Sequence, residues 1–157
     1  DLPESHKEKD LRKAIVFNLK DFILEFGKDF TFVGEEYRVQ VGNRDFFIDL
    51  LFYNRELHCL VAIELKIGEF EPEHLGKMEF YLEALDRDIK KSDENPSVGL
   101  ILCTKKDATV VEYALSRSMS PAMIADYKLH LPDKSILENK LRELTELAES
   151  AVSKDDE

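Results

Sequence analysis

The chain has 157 residues, 43% of them hydrophobic and 35% charged, which describes a folded globule of one domain, 1–157, and excludes a disordered chain. No apolar run approaches the ~20 residues of a membrane helix, and no secretory leader is visible. The net charge of −11 opposes nucleic-acid binding at first sight, but residues 69–94 (nine acids, four bases) and 133–157 (eight acids, four bases) carry most of it.

Leu11, Ile15, Leu19, Phe22, Ile23 and Phe26 recur at helical spacing, so the first element is an amphipathic helix over 9–26, stopped at Gly27. Phe30, Phe32, Tyr37, Val39 and Val41 mark strand-like segments broken by Gly34 and ended by Gly42-Asn43. Arg44–Tyr53 reads as a second strand and His58–Lys66 as a third, joined by a turn at Asn54-Arg55-Glu56. A helix over 73–90 follows, with Leu75, Met78, Tyr81, Leu82 and Leu85 on its apolar face. After the loop Asp93–Pro96, the apolar run Val98–Cys103 fits a buried central strand.

Residues 107–116 read as a short helix capped by Asp107, and 123–130 as a last strand. Residues 134–152 read as an acidic helix with Leu137, Leu141, Leu144 and Ala148 inward, and 153–157 as a frayed end. The order predicts an α/β fold with a mixed sheet flanked by helices, its core within about 9–132. Cys59 and Cys103 lie in apolar runs and read as buried thiols of a reducing, cytoplasmic compartment. The histidines show no ligand spacing, so zinc is not expected.

Chemistry concentrates in the second and third strands. Asp49 interrupts Phe46-Phe47-Ile48-Asp49-Leu50-Leu51-Phe52-Tyr53, where a lone buried carboxylate is costly unless paired, hydrogen-bonded or bound to a metal. Glu64 and Lys66 share one face of the third strand by its alternation. A hairpin centred at Arg55-Glu56 sets Asp49 opposite Ala62, with Glu64 its diagonal neighbour at roughly 7–8 Å. Two carboxylates and a lysine on one face suit Mg²⁺ or Mn²⁺ chemistry on a phosphate, with the Leu65 carbonyl as a further ligand. The bland alternative is a strand-end ion pair, with Asp49 satisfied by Arg38 or Arg44. Those two arginines could clamp phosphate or pair with Asp45 or Glu36, and Lys105-Lys106 reads as solvated surface.

Several of these segments together resemble a known family. Val33-Gly34, Tyr37, Arg44–Tyr53, Val61-Ala62-Ile63-Glu64-Leu65-Lys66, Phe80-Tyr81-Leu82 and Asp93–Cys103 are similar to the C-terminal nuclease domain of bacterial YhcG-like proteins, within the PD-(D/E)XK superfamily. The resemblance spans most of residues 11–132. It implies a restriction-endonuclease-like core with Asp49 and Glu64 as metal ligands and Lys66 as catalytic lysine. It also implies an acid offered by the first helix, for which Glu25 is the candidate.

By the same resemblance an N-terminal domain of the full-length protein would precede this chain, which begins at Asp1 without methionine. Lys77 stands where many relatives carry glutamine, ahead of Tyr81, and could touch phosphate. Tyr81 reads equally as a core aromatic. Glu35 and Glu71 replace basic residues common in relatives. The expected activity is a Mg²⁺-dependent endonuclease on DNA, RNA being the lesser candidate, with a homodimer suited to duplex cutting. The alternative is a nuclease fold retained as a binding module with weak or no catalysis.

Overall fold

The computed structural model describes residues 5–105 and 108–155, the side chains of 153–155 excepted. Helix α1 (His6–Phe26) starts at Ser5, whose hydroxyl accepts from the Glu8 amide at 3.1 Å, and ends where the Gly27 amide reaches the Ile23 carbonyl at 2.8 Å. Strands β1 (Phe30–Val41), β2 (Arg44–Asn54) and β3 (Cys59–Ile67) form an antiparallel meander. Gly42, at φ 61°, supplies the positive φ of the two-residue turn between Val41 and Arg44. Helix α2 (Pro72–Ala84) runs on into a π-helical turn, Leu85–Ile89, and crosses to β4 (Val98–Lys105), parallel to β3. Strand β5 (Ala108–Leu115) returns antiparallel to β4, and α3 (Pro121–His130) and α4 (Lys134–Asp155) follow. The sheet order is β1-β2-β3-β4-β5.

Two expectations are corrected here. The segment read as a helix over 107–116 is strand β5; Asp107, its supposed cap, lies outside the described residues, as does Lys106. Val110, Val111 and Ala114 satisfy a helical spacing too, but Thr109-Val110-Val111 is β-branched and pairs in turn with Thr104, Cys103 and Leu102 of β4. The segment read as a strand over 123–130 is α3. Ser120 caps it by accepting from the Met123 amide at 3.2 Å, and Pro121 supplies its first turn. Tyr127 is its buried anchor, and Leu129 is 78% exposed.

The sheet is covered on both faces. Ile15, Val16, Leu19 and Ile23 of α1, Tyr127 of α3 and Leu137, Leu141, Leu144 and Ala148 of α4 pack with Leu50, Phe52, Val61, Ile63 and Leu65 on one face. Met78, Tyr81 and Leu82 of α2 pack with Leu51, Ala62, Ile101 and Cys103 on the other. Thus α4 belongs to the same core as α1. Strand β1 leaves one edge unpaired. A bulge between Phe32 and Gly34 and a left-handed Glu36 (φ 46°) break its regularity, as edge strands require if they are not to recruit other strands.

The meander does not stay zipped. Strands β2 and β3 pair only from Asn54–Cys59 to Leu50–Ile63. Beyond that point β2 continues against β1 to Arg44, and β3 continues against β4 to Ile67. The sheet therefore forks between Asp49 and Glu64.

Candidate active site

The fork displaces the expected register. Leu51, not Asp49, faces Ala62, because the connection holds four residues between the Asn54–Cys59 pair rather than a turn at Asn54–Glu56. Asn54 organises it, its Oδ1 accepting from the amides of Glu56 (3.0 Å) and Leu57 (2.8 Å). Leu57 is buried in the core and His58 takes φ 55°, so the loop is longer than its polar residues suggest. Counting on from Leu50–Ile63 sets Asp49 level with Glu64 rather than diagonal to it.

At this level side chains replace the ladder. The Asp49 amide donates to Glu64 Oε1 at 2.9 Å, and the Leu65 amide donates to Asp49 Oδ2 at 2.8 Å. Each carboxylate thus takes an amide that separating strands would otherwise leave unpaired. Lys66 Nζ stands 3.9 Å from Glu64 Oε2, on the same strand face as expected. Arg12 donates from Nη1 to Asp49 Oδ1 at 3.0 Å, a partly buried ion pair reaching in from α1.

An open cleft of about 480 Å³ holds the group. Lys9 and Arg12 of α1, Glu36 of β1, Phe47 and Asp49 of β2, Glu64 to Ile67 of β3 and Lys77 of α2 line it. The fork therefore opens the site to helices from both layers. The cleft carries four cations against three acids in a chain of net charge −11, a local balance the overall charge conceals.

Electrostatics follow from burial. Glu64 is 7% exposed, and burial first, then the neighbouring Asp49 charge, push its carboxyl up to about 7, although the Asp49 amide opposes the shift. Asp49 is also raised, by burial, against the pull of the Leu65 amide and the cations Arg12 and Lys66. Lys77 is pulled down by burial and by the charge of Lys66, and its ammonium lies 5.8 Å from the Tyr81 ring centre. Burial raises the Tyr81 phenol, a core aromatic at 2% exposure.

Asp49, Glu64, Lys66 and Lys77 are thus brought together, and the Leu65 backbone of β3 faces Asp49 across the fork. Glu25 is not brought to the cleft. It is exposed thirteen residues along α1 from Arg12, about 20 Å by helical rise. The α1 residue that does arrive is a cation. Neither Arg38 nor Arg44 satisfies Asp49: Arg38 lies 3.7 Å from Asp45, and Arg44 stacks on Phe46. Lys105 pairs with Glu69 at 2.7 Å, outside the cleft. Sequence reading missed Arg12, yet a signal existed. Arg12 precedes Ile15, Val16 and Leu19 by three, four and seven residues, so it continues the buried stripe of α1. A cation in line with a buried stripe calls for an acid on the element beneath.

Two carboxylates at a partly buried fork, where burial raises both and the Asp49 charge raises Glu64 further, fit a divalent cation. Among the described residues no group of three or more histidine, cysteine, aspartate or glutamate side chains could hold a metal. Two carboxylates, a backbone carbonyl and several waters are the donor set that Mg²⁺ tolerates.

A family model for the YhcG PDDEXK nuclease domain matches residues 1–142. The chain is 38% identical over 141 residues to an Escherichia coli (strain K12) protein titled "Putative nuclease YhcG"; the match covers 90% of this chain and 38% of that protein's length. A solved repair endonuclease from Pyrococcus abyssi is similar over 82% of this chain and 45% of its own, at 16% identity and a TM-score of 0.43. A structure titled SSO0001 is similar over 78% of this chain and 60% of its own, at 12% identity and a TM-score of 0.42. No helix among the described residues is long and apolar enough to cross a membrane. With its matched residues covering nearly the whole chain, including the fork and both acids, the chain belongs to the YhcG PDDEXK nuclease domain family.

Proposed function

We propose that this domain is a metal-dependent endonuclease that hydrolyses phosphodiester bonds in DNA. The observation that supports it most is the partly buried Asp49–Glu64 pair at the fork, with Lys66 Nζ 3.9 Å from Glu64. Asp49, Glu64 and the Leu65 carbonyl are the groups to hold Mg²⁺ or Mn²⁺. Once bound, such an ion polarises a phosphate oxygen and acidifies a water.

The protein's own residues divide the remaining work. Asp49 and Glu64 fix the separation of the strands through their amide contacts, so their outer oxygens are positioned before substrate arrives. Lys66, on the open side of Glu64, orients the attacking water and offsets charge as it builds on the phosphoryl oxygens. Lys77 and Lys9 line the same cleft and supply point charges to the flanking phosphates. Because the chain spans 38% of its relative's length, further contacts to the duplex are assigned to an N-terminal domain or a second copy of the chain.

The test is nicking of supercoiled DNA with Mg²⁺ or Mn²⁺, comparing the parent chain with Asp49→Ala and Lys66→Ala. Metal-dependent nicking absent from both variants supports the proposal. Equal nicking by Asp49→Ala removes it.

A second reading has one observation in its favour. The Arg12 guanidinium already sits on Asp49 Oδ1, where a metal would bind, as a built-in cation of a binding module with weak or no catalysis would. Calorimetry with Mn²⁺ separates the readings, since the module need not bind the ion.

A further inference from the structure

We propose that the cleft continues into a track for an unpaired DNA strand along one flank of α1, with Phe17 and Phe47 as the surfaces on which bases stack. The inference rests on the endonuclease reading and specifies the substrate class of the same site.

Lys9, Lys13 and Phe17 follow one another at four-residue spacing, so they form a single row on α1. Lys9 lines the cleft. Lys13 and Phe17 line an adjoining groove together with Glu35 and Glu36, and Glu36 borders both spaces. The two are therefore one continuous surface. Along it stand two large exposed rings, Phe17 at 56% and Phe47 at 54%. Lys20 carries the row onward, its ammonium 5.4 Å from the Phe17 ring and 5.1 Å from the Phe32 ring. Val33, at the β1 bulge, adds an exposed apolar side chain.

Charge favours a phosphate backbone here although the chain does not. Cleft and groove together present five cations against four acids, and two of those acids are the pair assigned to the metal. Exposed rings beside a cationic row are what single-stranded nucleic acid uses, since each unpaired base offers a face to stack. A closed duplex hides those faces and would need cations alone. The opposite wall carries Glu35 and Glu36, so one strand is held to the helix side and its complement finds no second cationic wall.

The experiment is fluorescence anisotropy of a labelled oligodeoxynucleotide of about 16 nucleotides in EDTA, using the full 157-residue chain. Arms with the matching duplex and with RNA of the same sequence accompany it. Single-stranded DNA is expected to bind at least fivefold tighter than the duplex and no more weakly than the RNA. Phe17→Ala is expected to weaken that binding about tenfold. Lys13→Gln should lower the salt dependence by about one phosphate contact, and Leu129→Ala on α3 should change nothing.

Unchanged binding by Phe17→Ala, or preference for duplex, overturns the track. Tighter RNA binding overturns its assignment to DNA. A change of oligomeric state in Phe17→Ala, seen by sedimentation, makes the patch a contact between copies and also overturns it. Nicking that needs Asp49 while single-strand binding ignores Phe17 sinks the track alone. Phe17-dependent binding with no metal uptake and no nicking sinks the nuclease reading, and with it the track's role as a feed to that centre.

Discussion

Asp49 and Glu64 hold each other's strands apart: the Asp49 amide rests on the Glu64 carboxylate at 2.9 Å at the level where β2 and β3 stop pairing. The acids have a structural duty and an electrostatic cost together, and the consequences can be measured separately.

Glu64→Gln should stabilise the metal-free protein at pH 8. The amide oxygen still accepts from the Asp49 amide, while the buried negative charge beside Asp49 disappears. A gain of about 2 kcal/mol in urea unfolding is expected, accompanied by loss of metal-dependent nicking.

The parent protein's stability should fall as pH rises from about 4.5 to about 7. Glu64 is raised from 4.5 to about 7 in the fold, so the native state binds more protons than the unfolded state in that window. The slope of stability with pH is then negative, and the penalty is complete above pH 7. Thermal unfolding from pH 5 to 8 reads this out. Glu64→Gln should flatten the slope, and Mn²⁺ should raise Tm more at pH 8 than at pH 5.5.

Arg12→Gln should bind Mn²⁺ about fivefold more tightly by calorimetry, because Asp49 Oδ1 loses a competing cation. The metal-free variant should unfold about 1–3 kcal/mol more easily, since a partly buried carboxylate loses its partner. Unchanged metal affinity would show that Arg12 and the ion do not share that oxygen.

Gly99→Ala should destabilise by about 1–3 kcal/mol. A methyl at Gly99 of β4 would overlap the Met78 side chain, pushing α2 from the sheet. Lys77 precedes Met78, so nicking should also fall in a variant that still folds. Circular dichroism beside the nicking assay checks both.

Much of this was legible in the chain because two signals are strong. An acid inside Phe46–Tyr53 and the Glu64-x-Lys66 alternation pointed to the residues that meet at the fork without any register. The register itself was misjudged because Leu57, an apolar residue inside the connection, is buried as core and lengthens the loop. Strand β5 was misread because the spacing of Val110, Val111 and Ala114 fits two periods, and only pairing with β4 decides between them. The family resemblance implies an acid on α1 and leaves Glu25 as its candidate, but neither resemblance nor apolar spacing says which end of the helix meets the sheet's opening. Arg12 occupies that end.

The amide contacts of Asp49 and Glu64 also bear on how such a domain can change over generations. Replacing either acid with an apolar residue leaves an orphaned backbone amide at the fork. Asparagine and glutamine preserve the contacts while removing the charge, so they are the substitutions by which a descendant of this chain would lose its acid pair and remain folded.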